Sequence, residues 1–115
     1  MLIRIDETSS TPIYAQIAAA IRREIGAQNL GPGDRLPTAR DLASGLGVNV
    51  HTVLRAYQDL RDEGLVDLRR RRGAIVVGDA RRAAHLDALK AYVDAASRAG
   101  MSAEEAAELV KGRMK

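Results

Sequence analysis

The residues of this 115-residue chain that could do chemistry are mostly hydrogen-bond donors and cations. Asn49, His51, Thr52, Arg55 and Gln58 crowd into one short stretch, and Arg69, Arg70, Arg71 and Arg72 form an unbroken basic run further on. Amide, imidazole and guanidinium groups are what base edges and phosphates accept hydrogen bonds from. Catalytic sets are harder to assemble. The chain has no Cys, which removes thiolate nucleophiles, thiolate metal sites and disulfides. His51 and His85 are the only two histidines, and neither has a ligand cluster around it in the sequence. No Ser/His/Asp set, phosphate loop or paired carboxylates can be placed. The expectation is therefore a binding protein, not an enzyme, with no cofactor and no metal. A basic run alone is equally consistent with a solvated surface, so the elements that hold it must decide.

Those elements can be read from periodicity and caps. Leu2–Asp6 partly alternates and predicts a short strand. Thr11 as N-cap and Pro12 as the first helical residue open a helix to about Gln28, with Ile13, Ile17, Ile21 and Ile25 as its stripe. Residues 29–34 read as a loop. Thr38 caps a second, short helix, with Leu42, Ala43 and Leu46 inward and a stop at Gly45 or Gly47. Asn49 caps a third helix, which buries Val53, Ala56, Tyr57 and Leu60 and ends at Gly64. Leu65–Leu68 and Ala74–Val77 predict a hairpin whose tip holds the four arginines and Gly73.

Helix, short helix, turn, helix and basic hairpin is the order of a winged helix-turn-helix. The third helix then turns His51, Arg55, Gln58 and Asp62 outward, and the hairpin arginines lie where they can follow a DNA backbone. Thr38 and Asn49 are caps first, but helix N-termini also attract phosphate. Beyond the hairpin, Leu86, Leu89, Val93 and Ala96 recur at a/d-like spacing. Ser102 and Glu105 form a capping box for a last helix with Ala103, Ala106, Ala107, Val110 and Met114 on one side. This tail has too little apolar surface for its own core, so Leu86, Leu89, Val93, Ala96, Ala106 and Val110 are expected to pair with a second copy. The alternative is that the stripe folds back on the same domain.

Composition agrees with this division. The net charge is +3, and five basic residues balance five acidic ones from Leu86 onward, so the excess lies in the first part of the chain. The hydrophobic fraction of 46% supports a packed core, and without Phe or Trp that core must be aliphatic. No apolar run is long enough for a membrane span, and the start does not read as a signal peptide. A cytoplasmic location is expected. The fold class expected is α+β, mainly α, with a winged helix-turn-helix over residues 1–78 and a two-helix dimerisation and effector tail over 79–115.

The segments Pro12–Ile17, Gly31–Ala43, Leu46–Tyr57 and Glu63–Leu65 together resemble the GntR family of bacterial regulators. The stretch before Pro12-Ile13-Tyr14, the Asn49-x-x-Thr52-Val53-x-Arg55-Ala56-Tyr57 helix and the short tail are similar to its YtrA subfamily. The resemblance implies a repressor that binds an inverted-repeat operator as a homodimer. It implies DNA contacts at Arg40, Asn49, His51, Thr52 and Arg55, and a wing glycine at Gly73. YtrA-like regulators often control transporter genes. Two residues depart from the pattern. Val50 stands where many members carry a basic residue, and it could meet a thymine methyl instead. Arg71 stands where the wing often has a second glycine. Val50 also leaves open a second reading, a protein-interaction winged helix without DNA binding. A small-molecule effector would find no deep pocket within so short a tail, but could bind at a dimer interface.

Overall fold

In the computed structural model, which describes residues 3–70 and 73–114, five helices and one hairpin follow the expected order. They are α1 (Ile13–Gly26), α2 (Ala39–Leu46), α3 (Val50–Asp62), β1 (Val66–Arg69), β2 (Gly73–Val76), α4 (Ala80–Arg98) and α5 (Ala103–Arg113). The fold is mainly α, with a small two-stranded sheet.

The core is aliphatic, as the composition requires. Ile17, Ile21 and Ile25 of α1 meet Val53, Ala56 and Leu60 of α3, and Leu65, Val66, Ala74 and Val76 of the hairpin close over them. Burying such side chains contributes roughly 1.5–3 kcal/mol each, which fixes the angle at which α3 leaves the core. Helix ends follow local chemistry. The Asp41 N–H donates to the Thr38 hydroxyl at 3.1 Å and the His51 N–H to the Asn49 side chain at 2.8 Å. Gly47 ends α2 in the left-handed region at φ 70°. At the end of α3, the Leu65 N–H reaches back to the Leu60 carbonyl and the Gly64 N–H to that of Arg61, a Schellman closure with Gly64 at φ 76°.

Several sequence expectations need correction. Residues 3–6 form no strand, and Leu2 lies outside the described residues. A strand needs a neighbour, whereas here the Gln16 side chain takes both polar groups of the Asp6 backbone, at 2.8 and 2.9 Å. Ile3 still reaches the core. Thr11 does not cap α1. Pro12 is the cap residue, without a side-chain cap bond, and the Thr11 carbonyl accepts from Gln16 Nε2 instead. The helix stops at Gly26 because Gln28 turns left-handed, at φ 66°, and the Asn29 N–H returns to the Glu24 carbonyl.

The hairpin strands sit one residue off at each end. Leu65 is occupied by the closure of α3, and Gly73 pairs with Arg69, so the ladder runs from Val66↔Val76 to Arg69↔Gly73. The end of the expected loop also joins the wing, with the Gly33 N–H donating to the Val76 carbonyl at 2.7 Å and the Val76 N–H to the Asp34 carbonyl at 2.8 Å, and the two residues after the loop follow. Arg35 bridges Ile75, and the Leu36 N–H donates to the Ala74 carbonyl at 2.9 Å.

The core does not stop at residue 78. Helix α4 packs along α1, with Ala83 fully buried and Leu86 partly buried against the core. Leu86 thus folds back on its own domain, because the first turns of α4 continue the α1 surface. Ala96 is buried, Ala106 partly so, and Leu89, Val93 and Val110 are exposed. Apart from Ala106 the apolar side of α5 is uncovered, the helix has no fully buried residue, and Met114 is largely exposed.

Candidate nucleic-acid interface

Helix α3 has two faces about 180° apart. The inner one is Val53, Ala56, Tyr57 and Leu60, all buried. Each residue advances about 100° around the axis, which leaves His51, Arg55 and Gln58 on the outer side. All three are exposed. The Tyr57 hydroxyl donates to the Pro37 carbonyl at 2.6 Å and ties α3 to the turn that leads into α2. Burial pushes that phenol well above its ordinary value, so it stays a neutral donor.

The expected contact residues fall into three groups. Thr38 and Asn49 cap α2 and α3, and both are exposed. Their oxygens already accept from helix N–H groups, while the Asn49 amide nitrogen makes no hydrogen bond among the described residues. Arg40 is exposed on the first turn of α2, and Thr52 is half-buried on that of α3. Arg55, Arg40 and Arg70 have no carboxylate at ion-pair distance among the described residues. Arg69 does have one. Its Nε donates to Asp67 Oδ2 at 2.9 Å, with both side chains 48% exposed. An exposed pair of this kind is worth at most about 1 kcal/mol, so phosphate can displace the carboxylate. Arg71 and Arg72 lie outside the described residues. Gly73 opens β2 at φ 71°, a conformation that favours glycine.

Two residues of this surface were not foreseen. Tyr14 of α1 lies under Arg55, whose guanidinium carbon sits 3.7 Å from the ring centroid. A stacked guanidinium keeps its N–H edge free while its plane is fixed. The sequence contains Tyr14, but nothing in the spacing of α1 connects it with α3. Leu54 is an exposed apolar residue beside the buried stripe of α3. It lines a groove of about 450 Å³ with Thr38, Arg69, Arg70 and Gly73. The structure therefore brings the cap of α2, the flank of α3 and the wing to one groove, and sets Arg55 on the opposite flank of α3, beside α1. Asp62, an anion that DNA would repel, is placed at the far end of the helix and is held by Arg61 at 3.5 Å.

Comparison with known proteins identifies this arrangement. An HTH-type transcriptional regulator of Mycobacterium tuberculosis is 37% identical over 105 residues, covering 90% of this chain and 87% of the relative. The HTH-type transcriptional repressor YtrA of Bacillus subtilis is 39% identical over 80 residues, 70% of this chain and 62% of that protein. The DNA-binding domain of AraR in complex with operator ORX1 superposes with a TM-score of 0.60 at 28% identity, covering 67% of this chain and 96% of that one. Residues 13–76 match the family described as bacterial regulatory proteins, gntR family. The chain belongs to the GntR family, is YtrA-like within it, and is a DNA-binding transcriptional regulator.

Proposed function

We propose that this chain is a repressor that binds an inverted-repeat operator as a homodimer. Residues 1–78 serve as the reading unit, completed by the first turns of α4, and the rest of the 79–115 tail serves as the assembly unit. The observation that carries the reading is Arg55, exposed on the outer face of α3, stacked on Tyr14 and facing no carboxylate among the described residues. For a solvated surface arginine such a platform adds only about 0.5–1 kcal/mol, whereas for one that must meet a base edge or phosphate it also fixes the pose in which the N–H edge is presented. Thr38, Arg40, Asn49, His51, Thr52 and the wing arginines complete the contact set. The operator-bound AraR domain supports DNA as the partner, and the name of the YtrA relative supports repression. Resemblance to YtrA-like regulators points to transporter genes as the regulated set.

Pairing is supported by an apolar groove of about 560 Å³ between α4 and α5, lined by Leu89, Val93, Ala96, Ala106 and Val110. A second copy would cover it by an isologous contact. An effector, if the protein has one, would bind along the same seam.

Selection of duplexes from a random-sequence pool, followed by fluorescence anisotropy across a salt series, tests the reading. The expected product is an inverted repeat whose affinity falls steeply with salt. Neutralising Arg69 and Arg70 should lower the slope of log K against log salt by about 1 for each phosphate that is left without its cation. Recovery of no sequence-specific, salt-sensitive duplex would refute it.

A further inference from the structure

Leu54 is the residue that the chemistry of a phosphate-binding surface explains least. It is 36% exposed on a helix that otherwise packs its apolar residues inward. One residue on from Val53, it is turned about 100° from the buried stripe. It faces the groove shared with the wing, where Leu68 and Ala74 supply apolar lining and Arg69 and Arg70 supply positive charge. A leucine offers nothing to a phosphate or to a base-edge donor or acceptor. The one apolar group that the major groove presents at a base edge is the C5 methyl of thymine.

We infer that Leu54 is a specificity-determining residue that receives a thymine methyl, with the wing arginines holding the flanking backbone against the groove. The inference rests on the proposal that α3 reads operator DNA. Val50 lies one turn earlier on the same side, partly buried, so the two side chains form a strip about 6 Å long. Base pairs stack every ~3.4 Å, so the strip spans about two steps and favours two adjacent thymines in each half-site.

The test uses the full-length chain and the selected inverted-repeat duplex, with each thymine replaced in turn by uracil, which removes only the methyl group. One or two positions per half-site should lose about fourfold in affinity, the value of one buried methyl. In Leu54→Ala that loss should vanish at one position per half-site, leaving thymine and uracil equal there, while any thymine that meets Val50 keeps its discrimination and the salt slope stays at the parent value because phosphate contacts are untouched. Leu54→Met should restore the discrimination. If no position distinguishes the two bases in the parent, or if Leu54→Ala keeps the full discrimination everywhere, the inference is overturned while operator binding stands. Failure to select any duplex would overturn the DNA-reading proposal itself.

Discussion

At the scale of single residues, the interface depends on a stack that joins two helices. Arg55→Ala removes both the charge and the stacked plane, and should cost roughly 1–3 kcal/mol of operator binding if the guanidinium contacts a base. Tyr14→Leu keeps the charge and loses the platform, so it should cost less, about 0.5–1 kcal/mol. Tyr14→Phe keeps the ring and should bind as the parent does. Anisotropy titrations at one salt concentration separate the three, and equal losses in the leucine and phenylalanine variants would rule out the stack. Tyr57 makes a different kind of prediction, about stability. Its phenol is buried and donates to the Pro37 carbonyl. Tyr57→Phe should cost about 1 kcal/mol in chemical denaturation. The phenol's acid constant is raised in the fold. The stability it adds is thus fully present below the unfolded tyrosine value, near 10, and is lost as pH rises beyond it. The parent should weaken above about pH 10, and the phenylalanine variant should show a flatter profile there.

Elements were legible in the sequence wherever a cap or a buried stripe specified them. Thr38, Asn49, Gly47 and Gly64 end their helices as read, and Ile17, Ile21, Ile25, Val53, Ala56 and Leu60 are all buried. Misreadings fell where a side chain takes over a backbone's hydrogen bonds. Gln16 satisfies Asp6 and so removes the need for a strand, and spacing holds no trace of that. The same limit hid Tyr14, whose role exists only once α1 and α3 are crossed. It also hid the joint at the end of α3. There Arg22, only 2% exposed, makes two bonds to the Glu63 carboxylate, at 3.0 and 2.9 Å. From α4, Arg82 Nε donates to the Glu63 carbonyl at 2.7 Å. Three helices thus meet on one residue. Glu63→Ala leaves Arg22 buried without its counter-charge, its Nη1 already lacking a partner among the described residues. The loss should reach about 3 kcal/mol, read as a lower denaturant midpoint at unchanged slope. Pairing Arg22→Met with Glu63→Leu should recover most of it, since two apolar groups remove the desolvation cost along with the attraction. A mild effect of Glu63→Ala alone would mean that water reaches Arg22.

At the scale of the whole molecule, the two ends of α4 have different roles. Its first turns complete the core of the DNA-reading unit, and its last turns stand clear of that core and meet α5. Where the tail does contact itself, the bond is polar. The Tyr92 hydroxyl donates to the Ala106 carbonyl at 2.8 Å and fixes the two helices across the groove. What remains is a preformed apolar face, with Leu89, Val93 and Val110 each more than 40% exposed. Val93→Glu tests whether a second copy covers it. In a monomer Val93 is already half in water, so the substitution should leave the thermal midpoint of the isolated chain almost unchanged. In a dimer it places a charge at the seam, and the sedimentation coefficient should fall to that of a single chain. Operator affinity should then fall on the order of 100-fold, because two half-sites lose the effective concentration that a linked pair supplies. The salt slope should fall with it, since each monomer meets its own phosphates alone. If Val93→Glu sediments like the parent and binds as tightly, the groove between α4 and α5 is not the dimer seam.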